Sequence, residues 1–251
     1  MLRPLGLLAC TLLACGCRGR AEVVVYCTDV LCGVLSDVVG PPLRMRLEPG
    51  DDGLARRKLL ELEQRADLVV VRDATSLQPV RSQKKIGSPT LFATDEIVLA
   101  HKDHSAFTDK VSTATFAQVL RQPVVRLGCA NPATADVGAH AQQAWGLAGA
   151  PDLAARCDAA QLVPGEPELV ALLESRAVDY VFLHRSIAES HHLKVTAVPS
   201  PKIVCALAIP SGAANPADAR RVVEALLSDA GRRALERAGF SPLEPGPARA
   251  P

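Results

Sequence analysis

"VRLGCANPATADVGAHAQQAW", residues Val125–Trp145, decides how this chain is read. An apolar run ends at a loop of small residues, Asn131–Gly138, and the chain restarts as a helix, "GAHAQQAWGLAG". A buried strand that passes through a short loop into a helix is half of a βαβ unit. The first N–H groups of such a helix have no partner within it and carry a partial positive charge. The loop therefore offers its backbone amides as donors to a guest. It does not by itself fix the sign of the guest's charge.

The same alternation extends outward in both directions. "EVVVYC" (Glu22–Cys27) is a β-branched strand, and "TDVLCGVLSDVV" follows with Val30, Leu31, Val34, Leu35 and Val38 at helical spacing. "GLARRKLLELEQR" (Gly53–Arg65) is an amphipathic helix that leads into the buried strand "ADLVVV". "LFATDEIVLAHK" (Leu91–Lys102) reads as one apolar strand interrupted by polar residues, and "STATFAQVL" as a short helix. Beyond the opening stretch come a helix, "PELVALLESRA", and a buried strand, "VDYVFLH". Two further strands follow, "LKVTAVP" and "KIVCALAIP", then two short helices within Pro216–Phe240. No period repeats, and the fold class is α/β.

Composition narrows the function. At 48% hydrophobic and 22% charged the chain is that of a globular protein, long enough for one large domain or two small ones. Only 3% of residues are aromatic and the formal net charge is +1, which leaves little for stacking on bases or attracting phosphate, so nucleic acid is not expected as a partner. There is no GxSxG elbow, HExxH or Walker loop, and "GDDGLARRK" lacks the ending that cradles phosphates; neither catalysis nor a cofactor is expected. A monomer is expected.

The amino terminus reads as an address. Arg3 precedes an apolar stretch, Pro4–Ala14, too short to span a bilayer but suited to a secretory signal. It ends in "LLAC", which resembles the bacterial lipobox and makes Cys15 the lipidation site; a plain cleaved signal is the alternative. Cys10 is then removed, Cys17 lies in a tether, and Cys27, Cys32, Cys129, Cys157 and Cys205 remain, which leaves an odd thiol unless Cys17 joins or chains pair. A Cys27–Cys32 bridge stays open because a strand end and the following helix need not point the same way. Cys129 and Cys205, in apolar strands, read as small buried hydrophobes.

From about Leu91 to Phe240 the order of elements resembles the periplasmic molybdate- and tungstate-binding proteins of ABC importers, especially their archaeal-type branch. The residues that carry the resemblance are "FATDEIVLAHKD", "NPATADVG", "LLESRAVDYVFLHRSIAESHHLKV" and "LLSDAGRRALERAGF". It implies a type II periplasmic-binding-protein fold, two α/β lobes joined by crossing strands, with a small inorganic ligand in the cleft between them. The implied parts are a leader and tether (1–21), lobe one (22–93 with 199–240), lobe two (94–198) and a disordered tail (241–251). The implied partner is an ABC permease in the inner membrane, approached by a protein lipid-anchored on its extracytoplasmic side.

Ligands in such folds meet helix starts at strand ends, which selects Cys27, Thr28 and Asp29, then Asp52, then Asp136, Val137 and Gly138, then Glu166, with His184 at the end of "VDYVFLH". The family's usual serines fall here on Val30 and Asp52, although Thr28 could supply a hydroxyl; its acidic residue before the Tyr falls on Leu183, and Asp136 matches the Asp of its loop. A carboxylate about 4 Å from an anion costs roughly 4 kcal/mol per charge pair at an effective dielectric near 20, about three decades in affinity. Asp29, Asp52 and Asp136 together thus oppose a dianion, and with Cys27 and His184 they resemble a ligand set for a transition-metal cation; the molybdate- or tungstate-type oxyanion that the resemblance implies stays the first reading, with a cation binder on the same scaffold and a non-transport sensor with a degenerate cleft as the alternatives. Asp29 and Asp52 equally suit helix N-caps, His184 a hydrogen-bonded structural role, and His191 and His192 a solvated turn.

Overall fold

The computed structural model describes residues 22–158 and 162–244. The leader, Cys15 and Cys17 lie outside the described residues, as does the tail after Glu244. Among the described residues no helix is long and apolar enough to cross a membrane.

The chain forms a mixed α/β structure with two sheets, one in each lobe. The first sheet contains β1 (Val23–Cys27), β2 (Met45–Pro49), β3 (Leu68–Val71), β4 (Thr90–Asp95), β9 (Ile203–Ala208) and β10 (Ser241–Pro242), in the order β10-β4-β9-β3-β1-β2. β1 runs parallel to β2 and β3, whereas β9 pairs antiparallel with both β3 and β4. The second contains β5 (Ile97–His101), β6 (Leu127–Gly128), β7 (Tyr180–His184) and β8 (Lys194–Ala197), in the order β6-β7-β5-β8.

The two-residue period of the strands sorts the first lobe into two layers. Val23, Val25 and Cys27, with Leu68 and Val70, pack on α1 (Asp29–Val38), α8 (Pro216–Leu227) and α9 (Asp229–Arg237). Tyr26, Val69 and Val71 face the other way, towards Ala55 and Leu59 of α2 (Asp52–Leu60) and Val80 of α3 (Gln78–Ser82). A third core surrounds β5 and β7 between α4 (Phe116–Leu120), α5 (Asp136–Leu147) and α6 (Glu166–Glu174).

Several expectations change. "LFATDEIVLAHK" is two strands, because Asp95 ends β4 in one sheet and Ile97 opens β5 in the other; Glu96 is the crossing. The return crossing, residues 198–202, is stitched to the first where the Ile97 N–H donates to Ser200 Oγ at 2.7 Å. The first residues of the expected tail are ordered, since β10 pairs with Ala93 and Thr94 of β4. β2 and α7 (Arg185–Ser190) carried no apolar period strong enough to announce them.

Cys27 and Cys32 do bridge, because β1's alternation turns Cys27 to the face that α1 covers, and the buried Cys32 sits on that face of α1. Cys129 bridges Cys157 and is more than a small hydrophobe, while Cys205 is a buried free thiol whose ionisation burial opposes strongly. Chain-entropy arguments give about 2 kcal/mol for the short Cys27–Cys32 loop and about 3–4 kcal/mol for the Cys129–Cys157 loop. Urea unfolding should therefore show Cys129→Ser/Cys157→Ser losing more stability than Cys27→Ser/Cys32→Ser; the reverse order would contradict this ranking.

Candidate ligand site between the lobes

Every residue of β3 is buried, and the next residue, Arg72, is carried in at the carboxyl edge of the sheet with 8% exposure. The parallel register that places Cys27 beside Val70 brings Thr28 to the same edge. A buried guanidinium is tolerable only with anionic partners. Arg72 Nη1 donates to Glu166 Oε2 at 2.7 Å, and its Nε lies 3.4 Å from Asp95 Oδ2. Glu166 opens α6 on the second lobe, so the guanidinium ties the two lobes together.

His184, at the end of β7 and 1% exposed, completes the contact. Its backbone N–H donates to Glu166 Oε1 at 3.1 Å, and its Nδ1 lies 2.8 Å from both Glu166 Oε1 and Arg72 Nη1. A ring nitrogen holds either a proton or a lone pair, so Nδ1 serves only one of these neighbours at a time. On the far side of the ring Nε2 meets His140 Nδ1 at 3.1 Å, and His140 Nε2 lies 3.5 Å from Asp73 Oδ2 on the first lobe. Asp95 accepts from Ser186 Oγ at 2.6 Å.

The other expected residues divide. Asp52 is buried and accepts the backbone N–H groups of Arg72 (3.1 Å) and Asp73 (2.7 Å); the N-cap of α2 is its neighbour Asp51. Thr28 is the N-cap residue of α1, yet its hydroxyl makes no capping bond and is buried without a hydrogen-bond partner. Asp29 is exposed on the first turn of α1. Asp136 is exposed too, but near enough to Asp52 to disfavour its charge. Val137 and Gly138 line a cavity of about 110 Å³ inside lobe two, with Trp145 and Phe182. A Cβ at Gly138 would come 2.7 Å from Ala130 O, so this glycine lets α5 pack on its own entry loop.

Cys27 corrects the cation reading: its sulfur is spent in a disulfide and offers no thiolate. Among the described residues no group of three or more His, Cys, Asp or Glu is arranged to hold a metal ion. The sequence reading missed Arg72, Asp73, Asp95 and His140. One signal was present, an arginine directly after a wholly apolar strand, where a solvated residue is the ordinary expectation.

Charges in this cluster are strongly displaced. Burial raises the Glu166 carboxyl, but the Arg72 and His184 charges and hydrogen bonds outweigh it and hold it well below the usual range. Asp52 goes the other way: burial pushes it up to about 7 from 3.8, against the pull of the Asp73 and Arg72 N–H groups and the Arg72 charge. Between these values the folded chain holds a proton that the unfolded chain has lost. The Asp52 contribution is therefore complete below 3.8 and is lost as pH rises through about 7, on the order of 4 kcal/mol. Urea unfolding from pH 4 to 8 should show this decline flattened in Asp52→Asn; an identical slope in both proteins would mean that Asp52 titrates as an ordinary carboxylate.

Comparison with known proteins agrees with this architecture. An uncharacterized solute-binding protein of Petrotoga mobilis is 27% identical over 153 residues, 58% of this chain and 48% of that protein. The molybdate/tungstate-binding protein of Pyrococcus abyssi is 26% identical over 175 residues, 58% of this chain and 51% of that protein. The chain thus spans about half the length of the curated relatives it matches. The solved periplasmic molybdate-binding protein of Azotobacter vinelandii superposes with a TM-score of 0.70 at 18% identity, covering 90% of this chain and all of that one, which places the fold among type II periplasmic binding proteins. The family model for bacterial extracellular solute-binding proteins matches residues 40–241. With two lobes meeting at a polar cluster and a family match over most of its length, this chain belongs to the bacterial extracellular solute-binding proteins, a family of binders and not of enzymes.

Proposed function

We propose that this chain is the exported solute-binding lipoprotein of an ABC importer, anchored through Cys15, and that it carries a small inorganic oxyanion of the molybdate or tungstate kind between its lobes. The observation that carries this reading is the treatment of an anion already there. The Glu166 carboxylate is held by a guanidinium, a backbone N–H and an imidazole at the junction of two lobes. A tetrahedral oxyanion uses the same donors, and the unpartnered Thr28 hydroxyl at the start of α1 adds one more.

The carboxylates weigh less against an anion than their number suggests. Asp29 and Asp136 are exposed and screened by water, and burial pushes the Asp52 carboxyl up to about 7, which disfavours its charge. The relatives of like name from Pyrococcus abyssi and Azotobacter vinelandii support the same ligand class. A second reading, a sensor that does not transport, is favoured by one observation: Arg72 and Glu166 already satisfy each other across the cleft.

Calorimetry against molybdate, tungstate, sulfate, divalent cations and ferric iron separates the readings. Oxyanion binding at micromolar concentration or below is expected; cation-only binding overturns it, and silence from every ligand leaves the sensor. Thr28→Val tests the site itself. Removing a buried hydroxyl without a partner should leave thermal stability unchanged or higher, while oxyanion affinity falls about tenfold to a hundredfold, the loss of one hydrogen bond to a charged ligand. Unaltered affinity would place the ligand elsewhere.

A further inference from the structure

The donors proposed for a cleft-bound anion are engaged by the protein itself. Contacts cross between the lobes at Arg72–Glu166, Arg72–His184 and His140–Asp73. The two cavities described each lie within one lobe: about 110 Å³ beside Trp145 in lobe two, and about 10 Å³ beside Tyr26 and Lys58 in lobe one. At Arg72 it is the Glu166 carboxylate that bridges the halves.

Its seat is imperfect. His184 Nδ1 faces a donor and an acceptor at 2.8 Å and satisfies one of them. Thr28 Oγ1 is buried with no hydrogen-bond partner, and Arg72 Nε has only its 3.4 Å ion pair with Asp95 Oδ2. A carboxylate offers two oxygens to such donors, and a tetrahedral oxyanion offers four. The resident group is thus good enough to hold the lobes and poor enough to be replaced.

We infer that Glu166 is the resident anion of the ligand-free cleft: it latches the lobes together through Arg72, and it leaves Arg72 and His184 before a solute anion takes those donors. This deepens the oxyanion reading and rests on it. Closure then needs no solute, and the apparent affinity is lowered by the fraction of molecules in which Glu166 is away. Glu166 acts here as an internal competitor that sets how strong an incoming anion has to be.

Small-angle X-ray scattering with and without molybdate, beside calorimetry with molybdate, tests this on the wild type, Glu166→Gln and Glu166→Ala. Ligand-free wild type should scatter as compactly as the molybdate-saturated protein. Both variants should expand without ligand, contract with it, and bind molybdate at least tenfold more tightly. An expanded ligand-free wild type overturns the latch, whatever becomes of the variants' folding, and so do variants that stay as compact as the wild type. Unchanged or weaker molybdate binding in the variants overturns the displacement. If no protein binds molybdate, the oxyanion reading falls, and displacement with it, while scattering from the ligand-free proteins still decides the latch.

Discussion

A guanidinium buried where two sheets meet is the constraint on which the site depends. Arg72 follows four fully buried residues of β3, so the strand that fixes the first lobe's core also drives a cation to its edge. Taking that charge out of water costs several kcal/mol, and only carboxylates from both sides offset it. Asp95, at the crossing between lobes, and Glu166, at the head of α6, supply them. Lobe contact and ion pairing are therefore coupled through one of the two: Asp95 reaches Arg72 from β4 of the same sheet, whereas Glu166 reaches it only when the halves are together. Removing one member of such a buried cluster strands the others.

Around that pair the fold arranges parts that recur at strand ends. Thr28 comes to the same edge as Arg72 through the β1–β3 register, and Asp52 binds the backbone that carries Arg72. His184 is set by β7 and buttressed by His140 from α5. The Cys27–Cys32 bridge ties the last residue of β1 to the first turns of α1, on either side of Thr28. These are short-range, mutually supporting placements, of the kind that pre-organise a binding site before a ligand arrives.

Much of the scaffold was legible because it is written in periodicity. "EVVVYC", "ADLVVV" and "VDYVFLH" have the buried-strand signature, and α1, α5 and α8 have helical spacing or marked starts. The break at Glu96 was not legible: β4 and β5 are consecutive apolar runs, and periodicity does not say that a strand changes sheet. Glu166 and His184 were found by their places at element ends, and they do touch. Arg72 was not, because its partners are 23 and 94 residues away in sequence and only the closed topology brings them near. Cys27 misled for the same reason, since its partner's direction depends on which face α1 covers.

The most direct test of the account is anomalous X-ray diffraction at the tungsten edge from crystals grown with tungstate. The account predicts one strong peak between the lobes, within hydrogen-bonding reach of the Arg72 guanidinium and the Thr28 hydroxyl, with Glu166 turned away from Arg72. A peak only in the apolar cavity beside Trp145, or none at saturating tungstate with Glu166 still on Arg72, would contradict it.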